Sequence, residues 1–92
     1  MSQELSYQPL YEDQDKYWST YDLGVCFSLI SLHFPILQID REKHPRKVRF
    51  IFKRNKQLEQ AVEDYFADRL SFNPRTLLDN QKMIKNMLYS DM

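Results

Sequence analysis

The apolar run "LGVCFSLISLHFPILQI", from Leu23 to Ile39, constrains this chain more than any other feature. A membrane-spanning helix needs about 20 predominantly apolar residues. This run is shorter and carries Ser28, Ser31, His33, Pro35 and Gln38, so its apolar surface has to be buried within a protein core. Pro35 divides it, because proline lacks a backbone donor and drives the preceding residue out of the helical region. Before the proline, "WSTYDL" offers a helix start with Ser19 as N-cap, Asp22 three residues later, and Trp18 and Leu23 spaced as a hydrophobic staple. The helix is expected to run to about His33, with Leu23, Cys26, Phe27, Ile30 and Phe34 on one face and Val25, Leu29 and Leu32 on another. After the proline, "ILQIDR" alternates, placing Leu37 and Ile39 on one side and Ile36, Gln38 and Asp40 on the other.

The polar segment "EKHPRK" then reads as a hairpin loop, and "VRFIFKR" as a second strand with Val48, Phe50 and Phe52 opposed to Arg49, Ile51 and Lys53. In "NKQLEQAVEDYFADRL" the 3.6-residue period returns, with Asn55 as cap and Leu58, Ala61, Val62, Tyr65 and Phe66 as the stripe. "LSF" can add a short edge strand through Leu70 and Phe72. A third helix opens at Asn73 and Pro74, with Leu77, Gln81, Ile84 and Leu88 as its stripe and Leu78 and Met87 beside it. The expected fold is a small single α+β domain in the order α-β-β-α-(β)-α: a β-hairpin, or a three-stranded antiparallel sheet, packed against three helices. Its expected core is Phe27, Ile30, Leu37, Ile39, Val48, Phe50, Phe52, Val62, Phe66 and Leu88.

A chain of 92 residues is one domain. Residues 1–16, "MSQELSYQPLYEDQDK", have no sustained period and read as a flexible acidic arm, in which Tyr7, Leu10 and Tyr11 are the apolar groups, leaving 17–92 as the domain. No basic and apolar leader of the secretory kind opens the chain, and the single cysteine, Cys26, excludes an internal disulfide. Both point to a cytoplasmic protein without membrane attachment.

Candidates for chemistry are few. His33, His44 and Cys26 match no metal-binding spacing, and Cys26 falls on the apolar face of the first helix as a small core residue. The carboxylate pairs Glu12/Asp13 and Glu63/Asp64 are adjacent in sequence and so diverge, and the single glycine, Gly24, forms no phosphate loop. Asp22 is explained by capping and the helix dipole. The expectation is a non-enzyme with no metal and no cofactor.

Charge is the remaining signal. Net charge is zero, but residues 1–40 carry six acids against one lysine, whereas residues 41–56 carry Arg41, Lys43, Arg46, Lys47, Arg49, Lys53, Arg54 and Lys56 against Glu42 alone. A cationic β-ribbon can track phosphates with release of counterions. Ile36 and Ile51, by strict alternation, fall on the same outer face, where a phosphate-tracking surface would not need them. The expected function is therefore a small non-catalytic interaction module, an accessory subunit of a larger nucleic-acid-processing assembly. It would hold a protein partner through its sheet face or edge at Ile36 and Ile51. The alternative is direct, sequence-independent nucleic-acid binding by hairpin 41–56, and the oligomeric state is left open.

The segments "YWSTYDLGVCFSLISLHFPILQIDRE", "KVRFIFKR" and "FNPRTLLDNQKMIKNMLYS" resemble an uncharacterised family of short bacterial domains of unknown function. Its pattern runs through a threonine-aspartate-leucine helix start and two strands, and the resemblance covers roughly residues 17 to 90. It implies a helix, β-hairpin, helix, helix arrangement and brings no activity or site residue with it.

Overall fold

The computed structural model describes residues 12–42, 44 and 46–90, which form β1 (Tyr17–Thr20), α1 (Leu23–Ser31), β2 (Ile36–Asp40), β3 (Arg49–Lys53), α2 (Lys56–Phe66) and α3 (Pro74–Ser90). The fold class is the expected one, an α+β domain with one three-stranded antiparallel sheet and three helices. The third strand comes from a different place. No strand forms around Leu70 and Phe72; instead "YWST" pairs with β3, giving the sheet order β1-β3-β2.

That strand displaces the expected helix start. Ser19 lies in β1 opposite Ile51, and Trp18 and Thr20 stand opposite Phe52 and Phe50. The Trp18 ring packs on Phe52, with centroids 6.3 Å apart. The cap falls to Asp22, whose Oδ1 accepts from the Val25 N–H at 3.1 Å, while its own N–H donates to the Thr20 hydroxyl at 3.0 Å. Aspartate is as good an N-cap as serine, and two β-branched or aromatic residues beside it favour the strand.

α1 ends at a left-handed residue. His33 has φ 74°, its N–H donates to the Ile30 carbonyl at 2.8 Å, and the Phe34 N–H reaches back to the Leu29 carbonyl at 3.0 Å. This pair of bonds is a Schellman motif closed by Pro35. α2 ends the same way at Asp68, φ 60°, with Arg69 N–H on the Asp64 carbonyl. The start of α2 is as expected, with the Asn55 side chain accepting from the Leu58 N–H at 2.8 Å. At the start of α3, Asn73 accepts from the Arg75 N–H at 2.9 Å, and Pro74 is the first helical residue.

β2 carries a bulge that strict alternation does not foresee. Ile36 pairs with Phe52, but Gln38 pairs with Ile51 and Ile39 with Phe50, so Leu37 is the extra residue. Two residues then oppose one on the partner strand and the facing of the strand resets. Ile36 and Ile39 both pack against the core, while Leu37, expected inside, is 40% exposed.

The core joins Val25, Cys26, Phe27 and Leu29 of α1 to Phe50 and Phe52 of β3, Leu58 and Ala61 of α2, and Ile84 of α3. Phe50 and Phe52 are fully buried, as the alternation of β3 requires. Ile30, Ile39, Val48, Val62 and Leu88 are half-buried against this cluster. Phe66 is not part of it: at the end of α2 it stands 69% exposed, its ring edge-on to Tyr65. Gly24 lies where a Cβ would meet the Tyr65 hydroxyl, so a larger residue there would push aside the tip of that side chain. Ser31 links α1 to α3, donating to the Phe27 carbonyl and accepting from Asn80 Nδ2 at 3.0 Å.

Of the arm expected over residues 1–16, Tyr7, Leu10 and Tyr11 lie outside the described residues. Glu12 bonds to Arg49, and the Asp13 carbonyl accepts from the N–H groups of Lys16 and Tyr17.

Candidate interaction surface

The seven described cations of segment 41–56 do not form one surface. Arg49 opens the central strand β3 opposite Asp40 of β2, one residue beyond the β1 ladder, and is only 6% exposed. Its guanidinium donates to Asp40 Oδ2 at 2.8 and 3.1 Å and to Glu12 Oε2 at 3.0 Å. Burial disfavours the charged guanidinium, but the Asp40 bond and the two carboxylate charges outweigh it and raise the arginine above its ordinary pKa. The expectation of Arg49 as an outward phosphate contact is corrected: it is the buried hub of an ion triad.

Two further arginines are engaged. Arg54 donates to Glu59 at 2.9 Å. Arg41 donates to the Leu88 carbonyl at 2.6 Å, in the last turn of α3, where a cation complements the helix dipole. Arg46, Lys47, Lys53 and Lys56 are exposed, but they stand at opposite ends of β3. Lys47 and Lys53 are six residues apart along an extended chain, about 20 Å. Lys43 lies outside the described residues.

The two expected partner-binding residues are also corrected. Ile51 is 1% exposed, because it sits on the central strand between Ser19 and Gln38, and Ile36 is turned onto the core by the bulge. The bulge puts Leu37 in their place. It lines a concavity of about 390 Å³ with Tyr17 and Lys53, at the end of the sheet where β1 starts and β3 ends. Period-2 reading cannot find Leu37, since a bulge leaves no mark in the alternation; the only hint is that Ile36 and Ile39 cannot both be buried without one.

Two larger concavities lie elsewhere. A groove of about 540 Å³ runs between the end of α1 and α2, with Leu32, Phe34, Ala61 and Leu70 among its lining and Lys56 and Asp64 at its rim. A cleft of about 490 Å³ lies where the start of α1, the entry to β3 and the last turn of α3 converge, lined by Tyr21, Asp22, Leu23, Arg46, Lys47, Val48, Phe50 and Leu88. At its margin the His44 ring stands edge-on to Tyr21, 5.8 Å between centroids, and His44 Nδ1 accepts from the Arg46 N–H.

Cys26 is fully buried, and burial pushes its thiol up to about 12, the setting of a packing residue rather than a nucleophile. Among the described residues no group of three or more His, Cys, Asp or Glu could hold a metal ion, and no helix is long and apolar enough to cross a membrane.

These features define a small α+β domain whose surface offers apolar concavities edged by charge. The chain belongs to the family described as Domain of unknown function (DUF5659), which matches residues 15–90. No curated protein and no solved structure matches it.

Proposed function

We propose that the protein is a small non-catalytic interaction module that holds a protein partner through its sheet. The observation that carries this reading is Leu37, a large apolar side chain left 40% exposed by the bulge on the edge strand β2, beside Tyr17 and Lys53. An edge strand presents unpaired backbone groups, and an apolar side chain on that edge suits strand addition by a partner better than it suits water. The surface is the sheet edge the sequence suggests, with Leu37 in the role assigned to Ile36 and Ile51.

Direct nucleic-acid binding is the less supported reading. Arg49, Arg54 and Arg41 are held by Asp40, Glu12, Glu59 and Leu88, and the exposed cations are divided between the two ends of β3. A place in a nucleic-acid-processing assembly would then come through the partner.

Co-purification of the tagged chain from its native host, with and without nuclease, tests this. A stoichiometric protein partner should survive nuclease and be lost with Leu37→Asp. Recovery of nuclease-sensitive material alone, or a partner retained equally by the variant, would refute it.

A further inference from the structure

The structure holds a second apolar concavity whose charge identifies what would fill it. We propose that the cleft between the start of α1, the entry to β3 and the end of α3 docks an acidic peptide segment bearing one large apolar side chain. The proposal rests on the interaction-module reading and names the chemistry of the partner.

The floor is apolar. Leu23 occupies the first position of α1 and is 41% exposed, a large apolar side chain open to the cleft. Beside it lie the half-buried Val48 and Leu88, with Phe50 beneath. A volume of about 490 Å³ lies in the range of ligand-binding pockets, roughly 300 to 1,000 Å³. The cleft lies at the junction of three elements, so its walls are fixed by the fold.

The rim is positive. Arg46 and Lys47 are exposed and project from the loop entering β3. Arg41 sits on the carbonyl of Leu88, itself part of the lining. Among the described residues of the lining the one acid is Asp22, whose carboxylate is bonded to the Val25 N–H as the helix cap. A ligand with carboxylates flanking an apolar anchor therefore meets complementary charge on the rim and apolar surface in the floor.

A nucleic-acid strand fits less well. It needs cations along a track and open aromatic faces for stacking. The next exposed cation along β3 is Lys53, about 20 Å away at strand spacing. The one aromatic ring at the margin, Tyr21, already packs against His44.

The test is selection of a random 12-residue peptide display library on the full chain, with counter-selection on Arg46→Glu/Lys47→Glu. Both substitutions are at exposed loop positions, and a second variant, Leu23→Ser, probes the floor without touching charge. Enriched peptides should carry several Asp or Glu around one Leu, Ile, Phe or Trp. A synthetic consensus peptide should bind each folded variant at least about tenfold more weakly than wild type, a difference of about 1.4 kcal/mol. Three outcomes overturn the proposal. Enriched peptides without acidic residues remove its charge argument. A consensus that binds both variants as well as wild type places the partner elsewhere, at the Leu37 edge for instance, and the interaction-module reading survives. No enrichment, combined with binding of a 12-nucleotide oligo(dT) that the charge reversal abolishes, makes the cleft a nucleic-acid site and ends both readings.

Discussion

Replacing Arg49 tests the geometry of the sheet most directly. In Arg49→Met, Asp40 loses both of its bonds to the guanidinium while its side chain stays 10% exposed, and Glu12, at 32% exposure, loses a partner it can replace with water. Removing one member of a buried ion pair costs about 3 to 5 kcal/mol, and because Asp40 Oδ1 still accepts from the Glu42 N–H at 2.8 Å the loss should fall near the lower end of that range. A domain of this length is stable by roughly 5 to 14 kcal/mol, so the variant should lose about a fifth of its stability or more. Replacing both charges, as in Arg49→Met/Asp40→Leu, leaves no buried charge on this pair and should return the protein to within about 1 kcal/mol of wild type. Glu12→Gln should cost about 1 kcal/mol or less. Urea unfolding at constant m-value measures all three. If Arg49→Met unfolds at the wild-type midpoint, Arg49 is exposed and the triad does not exist. If the double variant is as unstable as the single, the loss comes from packing of the arginine stem and not from the stranded carboxylate.

Three further outcomes are expected. His33→Gly should stabilise the protein by about 0.5 to 1 kcal/mol in thermal unfolding, since a left-handed non-glycine residue costs about 1 to 2 kcal/mol and glycine returns part of that through the unfolded chain; a lowered melting temperature would contradict the positive φ at this turn. Hydrogen bonds from Gln60 and Arg69 hold the Asp64 carboxyl below its ordinary pKa, so its contribution is present at neutral pH and is lost as pH falls through the depressed folded value. Asp64→Asn should accordingly flatten the acid limb of the stability profile and leave the neutral-to-alkaline limb parallel to wild type. Cys26 should react with a thiol reagent at pH 8 only as fast as the protein opens, and at the free-thiol rate in urea; prompt labelling of the native protein would contradict its burial.

What the sequence discloses follows from how local each determinant is. Asn55 and Asn73 cap helices through bonds two or three residues away, and both are readable as caps. The burial of Phe50 and Phe52 follows from period two within one strand. Several of the misreadings come from strand pairing, which no single segment discloses. β1 is four residues long, and its stability depends on β3, more than thirty residues later, so "WSTYD" looks like a helix start when taken alone. Once β1 pairs, β3 becomes central, and Ile51 lies between Ser19 and Gln38 and is buried. A basic residue on a strand was expected to be solvated, but Arg49 meets Asp40 across the β2 pairing and Glu12 from beyond β1. The bulge at Leu37 depends on the register of two strands and so inverts part of β2 without altering its composition.

The long separation between β1 and its partner bears on how the chain escapes self-association while it folds. β2 and β3 can meet early across a short loop, whereas β1 must close a far longer one, so the edge of β3 that β1 will cover is open in the meantime. That edge belongs to "RFIFK", a β-prone apolar segment of the kind that templates aggregation when unpaired. The exposed cations at its ends, Lys47 and Lys53, are placed as gatekeepers: like charges brought together when two such segments stack repel each other, which disfavours pairing of two nascent hairpins before β1 arrives.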